Sequence, residues 1–164
     1  MDTLSEPWVR VSLADQRLEL LEDEDVRCVY PVSTSAKGAG ERMGSEMTPR
    51  GRHEVRSKIG ADAPSRSVFM SRQPTGEICT PELAAAEPSR DWILSRIIWL
   101  DGVEPGRNCS GNVDTMLRYI YIHGTADEDS VGKPRSHGCI RMRNHDIIEL
   151  FDQVEPGTLV EIVE

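Results

Sequence analysis

Apolar and polar residues alternate through residues 8–13, and this period of two is typical of a half-buried strand. A second alternating segment contains Leu18 and Leu20, and a third covers residues 26–34. Only short polar turns separate the three segments. The spacing therefore predicts an antiparallel meander and indicates a β-rich fold.

The rest of the chain continues this pattern and adds little helix. Further strands are predicted at residues 53–59, 68–71, 93–100, 118–123 and 159–163. The composition of residues 93–100 also suits a buried helix, but the β-branched side chains and the Asp-Gly turn that follows favour a strand. The glycine-rich residues 35–44 are predicted to form a mobile loop, and residues 81–88 a short helix.

One amphipathic helix is predicted near the C-terminus. Asn144 is a favourable N-cap residue, and Ile147, Leu150, Phe151 and Val154 follow at helical spacing. A Pro-Gly pair then ends the helix. The fold is therefore expected to be mainly β with a few short helices.

Length and charge restrict the function classes. The chain has 164 residues, enough for one domain with its own core, so residues 1–164 are predicted to be a single domain. The net charge of −9 argues against a nucleic-acid partner, since phosphate binding depends on clustered Lys and Arg. No apolar run approaches the roughly 18 residues of a membrane span, so no membrane partner is expected.

The first seven residues are acidic and contain no apolar stretch of the kind that a secretory signal needs. If Met1 is the native start, the protein is expected to be cytoplasmic; if a leader has been removed, it is periplasmic. The four cysteines form no CxxC pair, which fits a reducing compartment.

The segment S-H-G-C-I-R-M at residues 136–142 holds the most distinctive chemistry. Cys139 lies in it, and His123 precedes that cysteine by sixteen residues. A free thiol is a weak nucleophile at neutral pH, because its pKa is about 8.5, and a neighbouring imidazole can hold it as a thiolate ion pair. We expect Cys139 to be the nucleophile and His123 its base, although a core histidine is the alternative for His123. Cys28, Cys79 and Cys109 are expected to be small buried residues.

These residues are similar to the signature of a known family. His123-Gly124-Thr125, a spacer and then S-H-G-C-I-R-M resemble the YkuD-type L,D-transpeptidases, and V-S-T at residues 32–34 and T-P-R-G at residues 48–51 match upstream segments of that family. The resemblance extends from about residue 8 to the C-terminus. Two positions depart from it: Arg141 stands where many members have Asn, and Gly124 stands where some have Ser.

Several neighbouring residues receive secondary roles. The N–H groups of Gly138 and Cys139 are candidates for an oxyanion hole, and the Gly124 carbonyl is a candidate to orient His123. His137 is expected to have a structural or hydrogen-bonding role, because neighbours in extended chain point apart. Arg141 is expected either to bind a substrate carboxylate or to form a structural salt bridge. The remaining candidates for lining the cleft are Tyr121, Trp99, Ser136 and Arg143, and no role is expected for His53 and His145.

A metal site is the rival chemistry. His123, His137 and Cys139 could together offer three zinc ligands, but paired motifs such as CxxC or HxxxH are absent from the sequence. We therefore expect no metal and no other cofactor.

The resemblance implies a YkuD-like β-sandwich or barrel, with the cysteine loop backed by the C-terminal helix. It implies an enzyme that attacks peptidoglycan stem peptides at the bond between the L-centre of diaminopimelate and D-alanine. An amine can resolve the thioester to give a cross-link or a wall-attached protein, and water can resolve it to give a tripeptide. We expect L,D-carboxypeptidase activity on soluble muropeptides. An exported transpeptidase and a non-catalytic module that binds wall peptides are the alternatives. The family also implies acylation by carbapenems.

Overall fold

The computed structural model of the protein describes residues 6–164. The strands are β1 (Pro7–Ser12), β2 (Arg17–Glu22), β3 (Asp25–Pro31), β4 (Gly51–Ile59), β5 (Ser67–Met70), β6 (Gln73–Ile78), β7 (Ile93–Gly102), β8 (Tyr121–Gly124), β9 (Ile140–Met142) and β10 (Leu159–Val163). The helices are α1 (Pro81–Ala86) and α2 (Asn144–Phe151). The expectation about compartment depends on residues 1–7, of which the first five lie outside the described residues.

The strands form one mixed sheet in the order β3-β2-β1-β10-β4-β7-β5-β6, with β8 paired to β7 and β9 paired to β8. The first three strands make the predicted antiparallel meander. The last strand, β10, lies between β1 and β4 and runs parallel to β1. The other parallel pair is β8 with β9, and this pair presents the residues of greatest chemical interest.

The core lies between the sheet and α2. Ile147 and Leu150 of α2 are fully buried, and they belong to the same cluster as Ile98, Ile122 and Ile140 of the central strands. Burying each such side chain stabilises the fold by about 1.5–3 kcal/mol. The helix thus packs directly behind β8 and β9 and holds these short strands in place.

One predicted strand begins too early, and one strand was not predicted. The strand expected at residues 118–123 begins only at Tyr121, because Tyr119 has a φ of +56° and the turn before it bonds Tyr119 N–H to the Met116 carbonyl. The sequence also gave no sign of β6, an edge strand with mostly exposed polar residues and no apolar alternation.

The loop expected to be mobile is hydrogen-bonded along its length. The Ala36 N–H donates to the Ser136 carbonyl at 3.0 Å, and the Gly40 N–H donates to the Thr48 carbonyl at 2.9 Å. The Ser35 N–H donates to the Thr48 hydroxyl at 3.0 Å. This segment therefore supports the turn that carries Cys139.

None of the described helices is long and apolar enough to cross a membrane.

Candidate active site

The site is built on the parallel pair β8 and β9. The register places His123 beside Arg141 and Ile122 beside Ile140. Side chains alternate between the two faces of a strand, and the two isoleucines enter the core. His123 and Arg141 therefore face the opposite side, and Cys139, which precedes β9, shares that side with them. Cys139 and His123 are sixteen residues apart in sequence, and the pairing of β8 with β9 brings both to the same cavity.

A cavity of about 430 Å³ opens on this side of the sheet; we call it the first cavity. Its walls include Cys139, His123, Tyr121, Arg118, Tyr119 and Asp91. Cys139 is half-buried, so an extended peptide can reach its sulfur from the opening.

The ring of His123 is almost completely buried, with 2% of its surface exposed. Its Nδ1 lies 2.6 Å from the Gly124 carbonyl, which is the contact expected for Gly124. A carbonyl oxygen only accepts, so Nδ1 carries the proton and Nε2 holds the lone pair. Burial lowers the pKa of His123, and the positive charge of Arg141 lowers it further. The ring is therefore a neutral base at neutral pH.

The sulfur of Cys139 lies between two backbone groups. The Tyr121 N–H donates to Sγ at 3.4 Å, and the thiol donates to the Tyr119 carbonyl at 3.4 Å. Burial raises the pKa of Cys139 to about 11, although the Tyr121 N–H acts against this effect. Burial therefore disfavours both the thiolate and the imidazolium, and this acts against the resting ion pair that was expected.

Ser136 was expected to line the cleft, but it does not line the first cavity. It shapes the turn before Cys139 instead. Its side chain is 1% exposed; the hydroxyl accepts from the Gly138 N–H at 3.2 Å and donates to the Cys139 carbonyl at 2.6 Å. The Gly138 N–H is thus bonded to Ser136 in this structure, which leaves the Cys139 N–H as the preferred oxyanion donor of the two. Gly138 has a φ of +128°, and its carbonyl accepts from the Thr48 hydroxyl at 2.9 Å.

Arg118 on the cavity wall was missed by the sequence analysis. Its guanidinium donates to the carbonyls of Gly40 and Met47 at 3.2 and 2.6 Å and to the Ser45 hydroxyl at 3.3 Å. It thereby joins residues 40–47 to the wall of the first cavity. No local pattern distinguishes this arginine from the others, so only its tertiary contacts could reveal it.

Tyr121 lines the cavity as expected, but Trp99 does not. The Tyr121 hydroxyl accepts from Arg72 at 3.0 Å, and its ring meets Trp99 edge-on at 6.0 Å. Trp99 lies behind Tyr121, with Arg72 and Arg56 over its ring at 5.1 and 5.3 Å. Its role is to support Tyr121, because adjacent strands β7 and β8 place these two rings side by side.

A polar network lies behind His123. The Ser95 hydroxyl donates to Asn144 Oδ1 at 2.6 Å, and Asn144 Nδ2 donates to the Thr125 carbonyl at 2.8 Å. A Cβ at Gly124 would lie 2.4 Å from the same Oδ1, so only glycine fits there. Asn144 is therefore not the N-cap that was predicted, because its side chain is engaged with these strands.

The N-cap position belongs to Arg143, whose side chain makes no capping bond. Arg143 is exposed and does not line the first cavity, contrary to expectation. The backbone N–H of Asn144 donates instead to the Glu128 carboxylate at 2.9 Å.

Beside the first cavity lies a second cavity of about 430 Å³, whose lining includes Asp91, Trp92, Thr125, Arg135, His137 and Arg141. His137 is exposed and lines both cavities, so it occupies their shared rim. The guanidinium of Arg141 donates to the Arg135 carbonyl at 3.4 Å. Within residues 6–164 it has no carboxylate partner within 4.0 Å, which leaves it available to a ligand.

The other histidines and cysteines lie apart from this site. His53 is fully buried and bonded through both ring nitrogens, and His145 is exposed on α2. All four cysteines are free, and only Cys139 lines a cavity described above. Residues 6–164 contain no group of three or more His, Cys, Asp or Glu side chains that could hold a metal ion.

The comparisons with known proteins agree with this geometry. The family model of the L,D-transpeptidase catalytic domain matches residues 6–162. The protein named as L,D-transpeptidase YqjB of Bacillus subtilis (strain 168) is 30% identical over 159 residues, which are 97% of this chain and 72% of that protein. An L,D-transpeptidase from Mycobacterium tuberculosis H37Rv has the same fold, with a TM-score of 0.60 and 18% identity over 96% of this chain and 57% of its own.

A second solved relative, the L,D-transpeptidase LdtMt1 in complex with imipenem, aligns with a TM-score of 0.58 and 19% identity, covering 97% of this chain and 59% of that one. The chain thus spans a little under three fifths of the length of these two solved structures. The match of the family model to nearly the whole sequence shows that the chain belongs to the YkuD family of L,D-transpeptidase catalytic domains, which are enzymes of peptidoglycan.

Proposed function

We propose that the protein is a cysteine acyl-transfer enzyme in which Cys139 is the nucleophile and His123 the general base. One observation carries this proposal: both side chains line the same cavity, and the only lone pair of the His123 ring is at Nε2, because the Gly124 carbonyl occupies Nδ1. A thiol, a correctly protonated imidazole and an accessible cavity are the parts that acyl transfer needs.

The first half-reaction forms a thioester. Nε2 of His123 takes the proton of the Cys139 thiol as Sγ attacks the scissile carbonyl carbon, and the carbonyl oxygen becomes an oxyanion. Because burial disfavours both the thiolate and the imidazolium, we infer that the proton moves from sulfur to His123 as the substrate approaches. The intermediate collapses, the carbon–nitrogen bond breaks, and the leaving amine takes the proton from His123.

The oxyanion needs hydrogen-bond donors in the turn that precedes β9. The Gly138 N–H is bonded to Ser136, so we assign the backbone N–H of Cys139 as the donor supplied by this turn. A preorganised donor of this kind contributes roughly 3–4 kcal/mol to acyl transfer. The hydrogen bonds of Ser136 and Thr48 hold the turn in one conformation, and that is the preorganisation required.

The proposed substrate is a peptidoglycan stem peptide, cleaved between the L-centre of diaminopimelate and the terminal D-alanine. Membership of the L,D-transpeptidase family supports the class of bond, and the open first cavity gives room for an extended peptide beside Cys139. Soluble muropeptides contain the same bond and are equally suitable donors.

Two fates of the thioester remain as proposals. Hydrolysis to a tripeptide, the L,D-carboxypeptidase activity expected from the sequence, needs only water. Transfer to an amine needs a place for the acceptor, and the second cavity adjoins the first along Asp91, His137 and Arg141. This neighbouring space favours amine transfer, and we propose it as the main fate when an acceptor is present.

Product analysis from a defined tetrapeptide tests the proposal. The purified protein should release D-alanine, and mass spectrometry of a quenched reaction should locate an acyl group on the peptide that contains Cys139. The Cys139→Ala variant should lose both signals. Cys109→Ala is the matched control, since Cys109 is also a half-buried free thiol but lines neither cavity. Full D-alanine release by the Cys139→Ala variant would refute the assignment.

The ratio of tripeptide to cross-linked dimer then shows whether water or an amine resolves the thioester. Tripeptide alone, even with a second stem present as acceptor, establishes a carboxypeptidase; cross-linked dimer establishes transfer. Incubation with imipenem, which is bound to the solved relative LdtMt1, should add its mass to Cys139 if the thiol is acylated as proposed.

A further inference from the structure

Arg118 is a cation on the wall of the first cavity that forms no ion pair within the described part of the chain. Within residues 6–164, no carboxylate oxygen lies within 4.0 Å of its guanidinium. The three hydrogen bonds that this guanidinium makes go to neutral oxygens, the carbonyls of Gly40 and Met47 and the hydroxyl of Ser45. Arginine stays protonated in proteins, so an unpaired positive charge remains on the wall that also holds Cys139.

The backbone of Arg118 belongs to the segment that contacts the sulfur. The next residue is Tyr119, whose carbonyl accepts from the Cys139 thiol at 3.4 Å. Two residues further, the Tyr121 N–H donates to Sγ at 3.4 Å. A shift of Arg118 would therefore move both groups that hold the sulfur.

The side chain of Arg118 reaches the segment that supports the other side of the nucleophile turn. Its shortest hydrogen bond, at 2.6 Å, goes to the Met47 carbonyl. The same carbonyl lies 3.3 Å from the position that a Cβ on Gly138 would take, and the Thr48 hydroxyl donates to the Gly138 carbonyl at 2.9 Å. Arg118 thus links the two segments that contact residues 138–139.

The charge of Arg118 also acts on the thiol. Burial raises the pKa of Cys139 and Asp91 raises it further, whereas Arg141 and Arg118 lower it. The two cations differ in how they are held. Within the described chain, the Arg141 guanidinium donates only to the Arg135 carbonyl, at 3.4 Å, so a substrate carboxylate can neutralise it. Arg118 is fixed by three hydrogen bonds, so its charge stays in place when substrate enters.

We propose that Arg118 is a positioning residue for acyl transfer: its charge favours the thiolate of Cys139, and its hydrogen bonds hold residues 40–47 against the nucleophile turn. This inference rests on the proposed function, because the thiolate is the species that attacks the scissile carbonyl. As the sulfur–carbon bond forms, the thiol proton moves to Nε2 of His123, and the negative charge passes from sulfur to the carbonyl oxygen. Arg118 exchanges no proton in this step. Burial opposes the negative charge, so a fixed cation nearby lowers the barrier.

Two substitutions of Arg118 separate the charge from the hydrogen bonds. Arg118→Lys keeps the charge, but one ammonium group cannot replace the planar fork that bonds three oxygens; Arg118→Gln loses both the fork and the charge. Because the fork is absent from both variants, the ratio of their Cys139 alkylation rates reports the charge.

Iodoacetamide is a suitable reagent because it is neutral, and peptide mass spectrometry follows the peptide that contains Cys139. At one pH near 7, Cys139 in Arg118→Lys should react about tenfold faster than in Arg118→Gln, the effect of one pKa unit. Equal rates would overturn the electrostatic role. Cys79, which is 1% exposed, is the internal control for folding, because its alkylation would reveal an unfolded variant.

Steady-state kinetics of D-alanine release tests the positioning role. Both Arg118→Lys and Arg118→Gln should lower kcat by at least about tenfold with little change in KM, because a displaced nucleophile loses effective concentration. A wild-type kcat in Arg118→Lys would overturn this role. Arg10→Gln is the matched control: Arg10 pairs with Glu19 and lines neither cavity, so kcat and the alkylation rate of Cys139 should stay unchanged.

A double variant tests whether Arg118 acts through the nucleophile turn. Thr48→Val removes the hydroxyl that bonds the Gly138 carbonyl, so this substitution and Arg118→Lys disturb the same turn. The combined loss of kcat should therefore be smaller than the product of the two single losses. A loss equal to that product would overturn the connection through Gly138.

The outcomes separate this inference from the function on which it rests. An acyl-enzyme in the wild type, together with an Arg118→Gln variant that matches Arg10→Gln in both alkylation and kcat, overturns the role of Arg118 and leaves the proposed function intact. A wild-type protein that forms no acyl-enzyme overturns the proposed function. Alkylation needs no substrate, so the ratio between the two Arg118 variants still decides in that case whether Arg118 acts on the thiol.

Discussion

Two histidines in this molecule are equally buried and have different surroundings. His53 on β4 has Nδ1 3.0 Å from the Gly51 carbonyl and Nε2 2.9 Å from the Thr115 hydroxyl. His123 on β8 has Nδ1 on the Gly124 carbonyl, and its ring faces the first cavity beside Cys139. Burial lowers the pKa of both rings.

The comparison shows that burial and a lowered pKa do not by themselves make a catalytic base. Both ring nitrogens of His53 are hydrogen-bonded, so this ring has a structural role. In His123, Nε2 keeps a lone pair that can accept a proton. Position decides the difference: His123 lines the first cavity together with Cys139, whereas His53 is enclosed between Gly51 and Thr115.

The largest expected effect comes from replacing each of the two histidines in turn. His123→Gln should lower D-alanine release by about 10³-fold, the usual contribution of a general base. His53→Gln should change release per folded molecule by only about twofold, because it touches no reacting atom. Steady-state kinetics with the folded fraction measured by circular dichroism checks both. Equal losses in the two variants would contradict the roles given to these rings.

The reactivity of the Cys139 thiol tests the surroundings of His123 independently, because Cys139 is the proposed partner of that ring. Burial raises the pKa of Cys139 from an ordinary value of 9.0 to about 11. Alkylation by iodoacetamide at pH 7 should therefore be about 100-fold slower than for an ordinary thiol, and should rise with pH towards 11. Rapid alkylation with a plateau near neutral pH would instead show a standing ion pair with His123.

Asn144 tests how His123 is held in position. Asn144→Ala removes the bonds to Ser95 and the Thr125 carbonyl and should destabilise the fold by about 2 kcal/mol. The loosened Gly124–Thr125 backbone should also lower kcat by about tenfold with little change in KM. Urea unfolding and steady-state kinetics measure the two effects, and Asn112→Ala, at an exposed position, is the control. A loss of stability with unchanged kcat would limit Asn144 to a structural role.

The smallest effect concerns pH and His53. Burial lowers the pKa of His53 from 6.5 to about 4, so its contribution to stability is complete above pH 6.5 and is lost as the pH falls towards 4. Between pH 7 and pH 5.5 this contribution should fall by about 1 kcal/mol. Urea unfolding at the two pH values should show a smaller loss in His53→Gln than in the wild type. Equal losses would mean that other groups cause the acid sensitivity.

Much of the fold was predictable because its signals are local. The meander of β1, β2 and β3 follows from alternation in the first thirty residues, and α2 follows from apolar residues at helical spacing. The candidates Cys139 and His123 were also evident, since a cysteine among small residues near a histidine is an uncommon local pattern. These features depend on neighbours in sequence, which a sequence displays directly.

Other properties of the site depended on contacts between distant segments. Ser136 precedes His137 in sequence, and Trp99 lies opposite Tyr121 on the neighbouring strand, but neither Ser136 nor Trp99 lines the first cavity. Arg118 and Asp91 reached the first cavity from outside the recognised motif. No local sequence pattern shows which of these residues line the cavity, because the exposure and the partners of each side chain depend on how the strands pair.

The sequence alone therefore established the kind of fold, the family resemblance and the two residues most suited to acyl transfer. The tertiary structure decided that burial disfavours charge on both the thiol and the imidazole, that the Gly138 N–H bonds to Ser136, and that a second charged cavity adjoins the first. The physical reason is that ionisation and hydrogen-bond availability depend on desolvation and on partners supplied by distant strands, and these exist only after the chain has folded.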